Sequence, residues 1–271
     1  MIPKPMDDTK VIIIENCPEP LSQLKQRELR TRAEYLSSHL QLPVIKTGSE
    51  NYEFALLVSS QGLSLKMSGR LAPGPVVVDF SSPTFSYRVK DAVNGQAIAK
   101  AIGVKRGISL TVLDATAGFG KDAFLLASLG CQVMLVERDA IVHALLEDGI
   151  RRASLGEDTD IQSVVSRMSL IFGDFKHTSK SDKGIDVVYL DPMFPKRHKT
   201  ARVKKDMYVL QRLLSSQPKV PDEDSLLFPA LDLAGKRVVV KRPKHSACLA
   251  GKHPTFVLRG RSSRYDVYIT A

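Results

Sequence analysis

At 271 residues, with 43% hydrophobic and 25% charged residues, the chain has room for one large α/β domain and a smaller piece, and its composition is that of an ordinary globular protein. No apolar run approaches the roughly 20 residues that span a bilayer. The opening Met1-Ile2-Pro3-Lys4-Pro5-Met6-Asp7-Asp8 does not read as a signal peptide. Cys17, Cys131 and Cys248, like the six histidines, are too scattered for a metal site, so reduced thiols, a cytoplasmic location, no membrane and no metal are expected. The net charge of +10 is segregated: residues 1–195 carry 22 Lys and Arg against 23 Asp and Glu, and residues 196–271 carry 17 against 6. A basic excess gathered in the last quarter points to a polyanionic partner, nucleic acid first.

The chain begins with a strand, Val11 to Glu15. Leu21 to Leu40 follows as an amphipathic helix, with Leu29, Ala33, Leu36 and Leu40 on one stripe. Phe54 to Ser59 and Leu63 to Met67, split by Gln61-Gly62, read as a hairpin. The breaker Leu71-Ala72-Pro73-Gly74-Pro75 leads to a strand, Val76 to Phe80. These elements make a small N-terminal α+β lobe over residues 1–85, and residues 86–271 form the second domain. Asn94 to Ile102 predicts a helix stopped by Gly103.

The stretch from Leu110 to Asp139 organises the rest. Leu110 to Ala115 is a buried strand ending in Asp114, and Ala115-Thr116-Ala117-Gly118-Phe119-Gly120 is a small-residue turn. Asp122 to Leu129 is a helix, Val133 to Val136 a second strand, and Glu137 the acid closing it. This β-turn-α-β unit is the usual seat of a nucleotide-like cofactor. Gly118 and Gly120 let the backbone pass close to a ligand. A dinucleotide would bring a pyrophosphate to that turn, where Asp114 repels it. S-adenosylmethionine brings an ammonium and a sulfonium, both cationic, so Asp114 favours the methyl donor, with Glu137 on its ribose.

Ile141, Leu145 and Gly149 then share one side of a helix, and Glu157-Asp158-Thr159-Asp160 reads as a loop. Met168 to Phe172 is a third strand, followed by Gly173-Asp174-Phe175, in which Asp174 is either an acceptor for an adenine amino group or a simple turn aspartate. Asp186 to Leu190 is a buried strand leading into Asp191-Pro192-Met193-Phe194-Pro195. Val203, Met207, Leu210 and Leu214 stripe another helix, Arg237 to Lys241 is a fifth strand, and Thr255 to Leu258 with Tyr265 to Ile269 form a closing hairpin. Strands alternating with helices indicate a doubly wound, mostly parallel sheet with ligands at the carboxyl ends of its strands.

Asp191-Pro192-Met193-Phe194 resembles the Asp/Asn-Pro-Pro-Tyr/Phe motif of methyltransferases that act on exocyclic amines of nucleobases, with Met193 in place of the second proline. Such an amine is a poor nucleophile because its lone pair is delocalised into the ring. A carboxylate and a backbone carbonyl accepting its two N–H bonds localise that pair, Pro192 fixes the backbone, and Phe194 offers a face for an extruded base. Asp191, Pro192 and Phe194 are therefore the expected catalytic residues. Asp114-Ala115-Thr116-Ala117-Gly118-Phe119-Gly120-Lys121-Asp122-Ala123-Phe124, Val187 to Pro195, Lys236 to Pro243 and Val203-Lys204-Lys205-Asp206-Met207 together resemble the ribosomal RNA small subunit methyltransferase J family over residues 76–271. The resemblance implies a class I methyltransferase (Rossmann-like) fold with a C-terminal antiparallel hairpin. It further implies N2 methylation of one guanine in small-subunit (16S) ribosomal RNA, naked or in the 30S particle. Carried over by motif, the cofactor contacts are Lys121 with Asp122, Glu137 with Arg138, Asp174 with Phe175, and Asp191.

Lys204, Lys205, Lys241, Arg242 and Lys244 are candidates for phosphate contacts, although Lys204 and Lys205 read equally as a solvated helix face. Two other readings use the same features. A nicotinamide-dependent oxidoreductase would share the glycine turn, and a non-catalytic RNA-binding assembly factor would share the basic surface but would have no need of Asp191 or Glu137.

Overall fold

The computed structural model describes residues 11–15, 22–45, 52–82, 97–178, 184–192, 205–215, 223–260 and 263–270. By its internal contacts the chain divides into two units, Met1–Val78 with Lys199–Pro218, and Asp79–His198 with Lys219–Ala271.

The first unit holds a four-stranded sheet of β1 (Val11–Glu15), β2 (Val44–Ile45), β3 (Phe54–Ser59) and β4 (Gly62–Met67), in the order β2-β1-β3-β4. β1 runs parallel to both neighbours, and β3 and β4 form the expected antiparallel hairpin. Helix α1 (Gln23–Leu40) buries Leu29, Ala33 and Leu36. Ser22 caps its N-terminus by accepting from the Lys25 amide. Val76 to Phe80 does not become a strand. Only Val76 pairs, through two 2.8 Å bonds with Leu65, because Pro73 and Pro75 carry no N–H for a ladder. The alternation that suggested a strand, with Val76, Val78 and Phe80 buried and Val77 44% exposed, records burial alone. The helix Lys205–Ser215 also belongs to this unit, tied to it by Arg212 on Glu53 at 2.8 Å and Lys205 on the Pro75 carbonyl at 2.9 Å. Its buried residues are Val209, Leu210 and Leu213, whereas Met207 is 40% exposed, so the apolar stripe is rotated from the expected one.

The second unit is organised by a seven-stranded sheet. Its strands are β5 (Thr111–Asp114), β6 (Gln132–Glu137), β7 (Met168–Phe172), β8 (Val187–Leu190), β9 (Arg237–Pro243), β10 (Phe256–Arg259) and β11 (Ser263–Ile269), in the order β10-β11-β9-β8-β5-β6-β7. β5 to β9 pair in parallel, and β11 lies antiparallel between β9 and β10. This is the expected doubly wound sheet with its closing hairpin. The central strands read as continuous apolar runs because both faces are covered, and β8 is buried along its whole length. The chain winds from β5 through β6 to β7, then returns to β8 on the other side of β5. The carboxyl ends of β5 and β8 therefore form the switch point of the sheet, where open α/β sheets bind ligands.

Two helices of this unit were not expected. The expected loop at Glu157 to Asp160 holds only for Glu157 and Asp158: Asp158 accepts from the amides of Asp160 and Ile161, both at 3.0 Å, and caps a helix over Thr159–Val165 that buries Val165. Leu227–Leu233 is helical with Pro229 in its first turn, where a missing N–H costs no intrahelical bond, and it buries Leu227, Ala230 and Leu233. Among the described residues no helix is long and apolar enough to cross a membrane.

Candidate active site

Asp114 ends β5, and its carboxylate is buried at 2% exposure. The turn that follows folds back on this acid, the Thr116 amide donating to Asp114 Oδ1 at 3.2 Å. Gly118 and Gly120 adopt φ of +53° and +68°. At Gly120 a Cβ would come within 2.7 Å of Leu146 Cδ1, so glycine is required by packing as well as by backbone conformation. Glu137, at the end of β6, braces the same turn: Oε2 accepts from the Gly118 amide at 2.9 Å and Oε1 from the Asp139 amide at 2.8 Å. Asp139 in turn caps the helix Ala140–Leu155.

Across the switch point the Asp191 amide donates to Thr116 Oγ1 at 2.7 Å, which stitches the loop after β8 to the glycine turn. Lys241 comes from the neighbouring strand β9, and its ammonium lies 2.9 Å from Asp191 Oδ2 and 2.6 Å from Asp122 Oδ2. Asp122, in the first turn of the helix Lys121–Ser128, also accepts from the buried Tyr189 hydroxyl at 2.6 Å. Asp114, Asp122, Glu137 and Asp191 are thus gathered around one turn.

Burial and the repulsion of neighbouring carboxylates leave Asp114, Glu137 and Asp191 reluctant to ionise. Burial raises Asp114 to about 8, and Asp122, Asp191 and Glu137 each add to the rise. Burial raises Glu137 to about 7 against the backbone bonds it accepts. Asp191 is raised to about 6 by burial, against the pull of Lys241 and with a further push from Asp122. Burial alone would lower Lys241, but Asp122 and Asp191 hold it above the usual lysine range. Among the described residues no cation pairs with Asp114.

A family model of SAM-dependent methyltransferases matches residues 36–270. Ribosomal RNA small subunit methyltransferase J of Pseudomonas fluorescens (strain Pf0-1) is 47% identical over 240 residues, covering 88% of this chain and 89% of that relative. The protein of the same name from Pseudomonas aeruginosa (strain UCBPP-PA14) is 46% identical over 235 residues, covering 86% and 87%. The chain belongs to the ribosomal RNA small subunit methyltransferase J family. The crystal structure of a SAM-dependent methyltransferase from Neisseria gonorrhoeae superposes with a TM-score of 0.68 at 32% identity, over 96% of each chain. The fold is that of class I methyltransferases, and S-adenosylmethionine is the cofactor.

The residues of this methyltransferase fit that donor. A buried acid with no described cation beside it, Asp114, suits a ligand that carries positive charge, and the left-handed glycines keep the turn free of the Cβ atoms that would fill it. The same acids disfavour the pyrophosphate of a nicotinamide cofactor, and membership in this family removes the oxidoreductase alternative.

The structure brings Asp114, Gly118, Gly120, Lys121, Asp122, Glu137 and Asp191 to one end of the sheet, with Arg138 exposed beside Glu137. Asp174 follows β7 and caps a short turn by accepting from the Lys176 amide at 3.0 Å, while remaining partly exposed. The Phe175 ring is 2% exposed and belongs to the core, so the expected cofactor contact cannot come from its side chain. Two expected phosphate contacts are likewise corrected. Lys241 is committed to two carboxylates, and Arg242 is buried with its guanidinium donating to the Ala247 carbonyl at 2.8 and 3.1 Å. Lys244 is exposed on a loop held by Arg264, which donates to the Lys244 and Ser246 carbonyls. Lys205 is exposed in the first unit. Pro192 is buried next to Asp191, whereas Phe194 and Lys204 lie outside the described residues.

Sequence reasoning missed Thr116, Tyr189 and the true role of Lys241. Their signals were present: a hydroxyl inside the glycine turn, a tyrosine within the buried strand Val-Val-Tyr-Leu, and a lysine closing the run Val238-Val239-Val240.

Proposed function

We propose that the protein methylates the exocyclic N2 amine of one guanine in small-subunit (16S) ribosomal RNA, in the cytoplasm. The observation that carries this reading is Asp191. It stands at the carboxyl end of β8, its backbone is fixed through Thr116, and among the described residues no group donates to its Oδ1. That oxygen can accept from an amine N–H, while Pro192, buried beside it, has its own φ fixed by its ring.

S-adenosylmethionine supplies a methyl group already activated by the sulfonium. The protein's task is then to desolvate the amine, to draw its lone pair out of the ring by accepting its N–H bonds, and to hold it in line. As the N–C bond forms, the amine nitrogen sheds one of its two protons, and the Asp191 carboxylate is the nearest acceptor that this geometry supplies. Phe194, two residues beyond Pro192, supplies a stacking face, by analogy with the motif that it resembles. The name shared by the Pseudomonas relatives supports ribosomal RNA as substrate, either naked or in the 30S particle.

The test is to map methylguanines in ribosomal RNA from cells with and without the protein, and to follow labelled methyl transfer into naked RNA and 30S particles. Loss of one N2-methylguanine in the small subunit, restored by the wild type and not by Asp191→Ala, is expected. Base–aromatic stacking worth about 1–3 kcal/mol predicts that Phe194→Ala lowers transfer about tenfold while cofactor affinity is kept. Label appearing only in another RNA, or in protein, would overturn the assignment.

A further inference from the structure

Lys241 lies in a buried strand that otherwise runs Arg237-Val238-Val239-Val240, and a lysine there needs a reason. β8 and β9 are parallel with Leu190 opposite Val240, so Asp191 and Lys241 are the next pair along the two strands. On the other side, β11 places Tyr265 opposite Lys241. The ammonium is therefore aimed by the sheet itself. It grips Asp191 at Oδ2 only, and Asp122, its second anchor, is itself fixed by the Tyr189 hydroxyl.

We propose that Lys241 is a positioning residue for methyl transfer: its ammonium holds one oxygen of Asp191 and keeps that carboxylate ionised, so that the other oxygen is presented to the amine. The proposal rests on the reading of Asp191 as the amine acceptor. The charged and titratable groups facing Asp191 define how it works. Asp122 from the helix after the glycine turn pushes its proton affinity up, Lys241 from β9 pulls it down, and Asp114, raised to about 8, is neutral where Asp191 titrates, as are Tyr189 and Tyr265, with Tyr265 raised to about 12 by burial and by Asp122. Remove the lysine and only the terms that favour protonation remain. A protonated Asp191 presents a donor where the amine needs an acceptor, so Lys241 acts on the reaction without touching the base or the methyl donor.

The test is the pH profile of kcat/KM for RNA in the wild type, Lys241→Met and Lys241→Arg, beside a carbon-13 NMR titration of Asp191 identified by its loss in Asp191→Asn. The wild type should show an acidic limb near 6. An opposite charge in contact moves a carboxylate by about 1–3 units, so Lys241→Met should carry both the limb and the NMR titration upward by that amount. At pH 7 its turnover then falls by about twofold for a shift of one unit and about tenfold for a shift of two, and calorimetry should still show binding of S-adenosylhomocysteine. Lys241→Arg keeps the charge and should leave the limb near its original place. Should Lys241→Met not fold, Lys241→Gln serves in its place: it keeps a polar chain without the charge, and the Asp191 titration should again move upward. An Asp191 titration that stays put in whichever neutral Lys241 variant folds overturns the proposal and leaves Lys241 a structural ion pair. A wild type that transfers no label to ribosomal RNA instead overturns the functional reading on which it rests.

Discussion

Placing the buried acid Asp114 against the donor's positive charge predicts that cofactor binding is a proton-linked event. In the free protein its carboxyl group is raised to about 8, so at pH 7 it is mostly protonated. A cationic ligand prefers the ionised form. Binding must therefore drive the proton off, and affinity must rise with pH between 6 and 8. If the ligand's positive charge lowers Asp114 by about 2 units, within the range for an opposite charge at close approach, the coupling is worth about 2.7 kcal/mol. The protonated fraction at pH 7 then falls from about nine-tenths to about one-tenth, a release of about 0.8 proton per site. Glu137, raised to about 7, adds to the release if it too ionises. Calorimetric titration of S-adenosylmethionine in phosphate and in Tris, buffers of very different ionisation enthalpy, measures this number directly. S-adenosylhomocysteine keeps the ammonium but lacks the sulfonium, so it should release fewer protons, and Asp114→Asn should remove most of the effect. An apparent enthalpy that is the same in both buffers, together with an affinity flat from pH 6 to 8, would refute the assignment of Asp114 to the donor's charge.

The same acid predicts the stability of the free protein. A carboxyl group raised from 3.8 to about 8 on folding contributes most below pH 4 and loses its contribution progressively up to pH 8. Asp114→Asn should thus raise the melting temperature at pH 8 and flatten the profile between pH 4 and 8, and an unchanged melting temperature at pH 8 would count against a buried, uncompensated acid. Gly120→Ala combines a left-handed backbone with a 2.7 Å approach to Leu146, and should cost about 2–5 kcal/mol in urea unfolding. Gly107→Ala has a similar φ of +77° but open space around it, and should cost only the backbone share, about 1–2 kcal/mol. Each lysine that truly meets a phosphate adds about 0.7–0.9 to the slope of log affinity against log salt. Lys244→Ala should reduce that slope, while Arg242→Lys, at a buried site, should leave it unchanged.

The parallel sheet was legible because its central strands are buried on both faces, and a run such as Val187-Val188-Tyr189-Leu190 has no other home. The elements that escaped were those whose signal is local chemistry rather than periodicity. Asp158 marked a helix start, but the polar cluster Glu157-Asp158-Thr159-Asp160 also reads as a loop, and only the burial of Val165 decides between them. At the site, the acids Asp114, Glu137 and Asp191 could be placed because each ends a strand. Lys241 could be found but not interpreted. In sequence a lysine in a basic tail resembles a phosphate contact, and only the pairing of β8 with β9 brings it beside Asp191. Phe175 was assigned by motif rather than by its own chemistry, and packing puts its ring in the core.

The glycine turn shows why one fold serves two kinds of cofactor. Where such a turn binds a dinucleotide, its amides and the helix N-terminus point at the pyrophosphate. Here three of those amides are already used. Thr116 donates to Asp114, Gly118 to Glu137 and Gly120 to the Ala117 carbonyl at 2.8 Å. Those N–H groups therefore hold two buried carboxylates and are not offered to an anion. With Asp122 and Asp191 nearby and Lys241 bound between them, the surroundings attract a cation and repel a phosphate. A methyl donor carrying a sulfonium and an ammonium is attracted by this field when it enters, and as a sulfide after transfer it keeps only the ammonium. The electrostatics that select the donor thus also weaken the grip on the spent product, and no movement of the chain is needed to account for that difference.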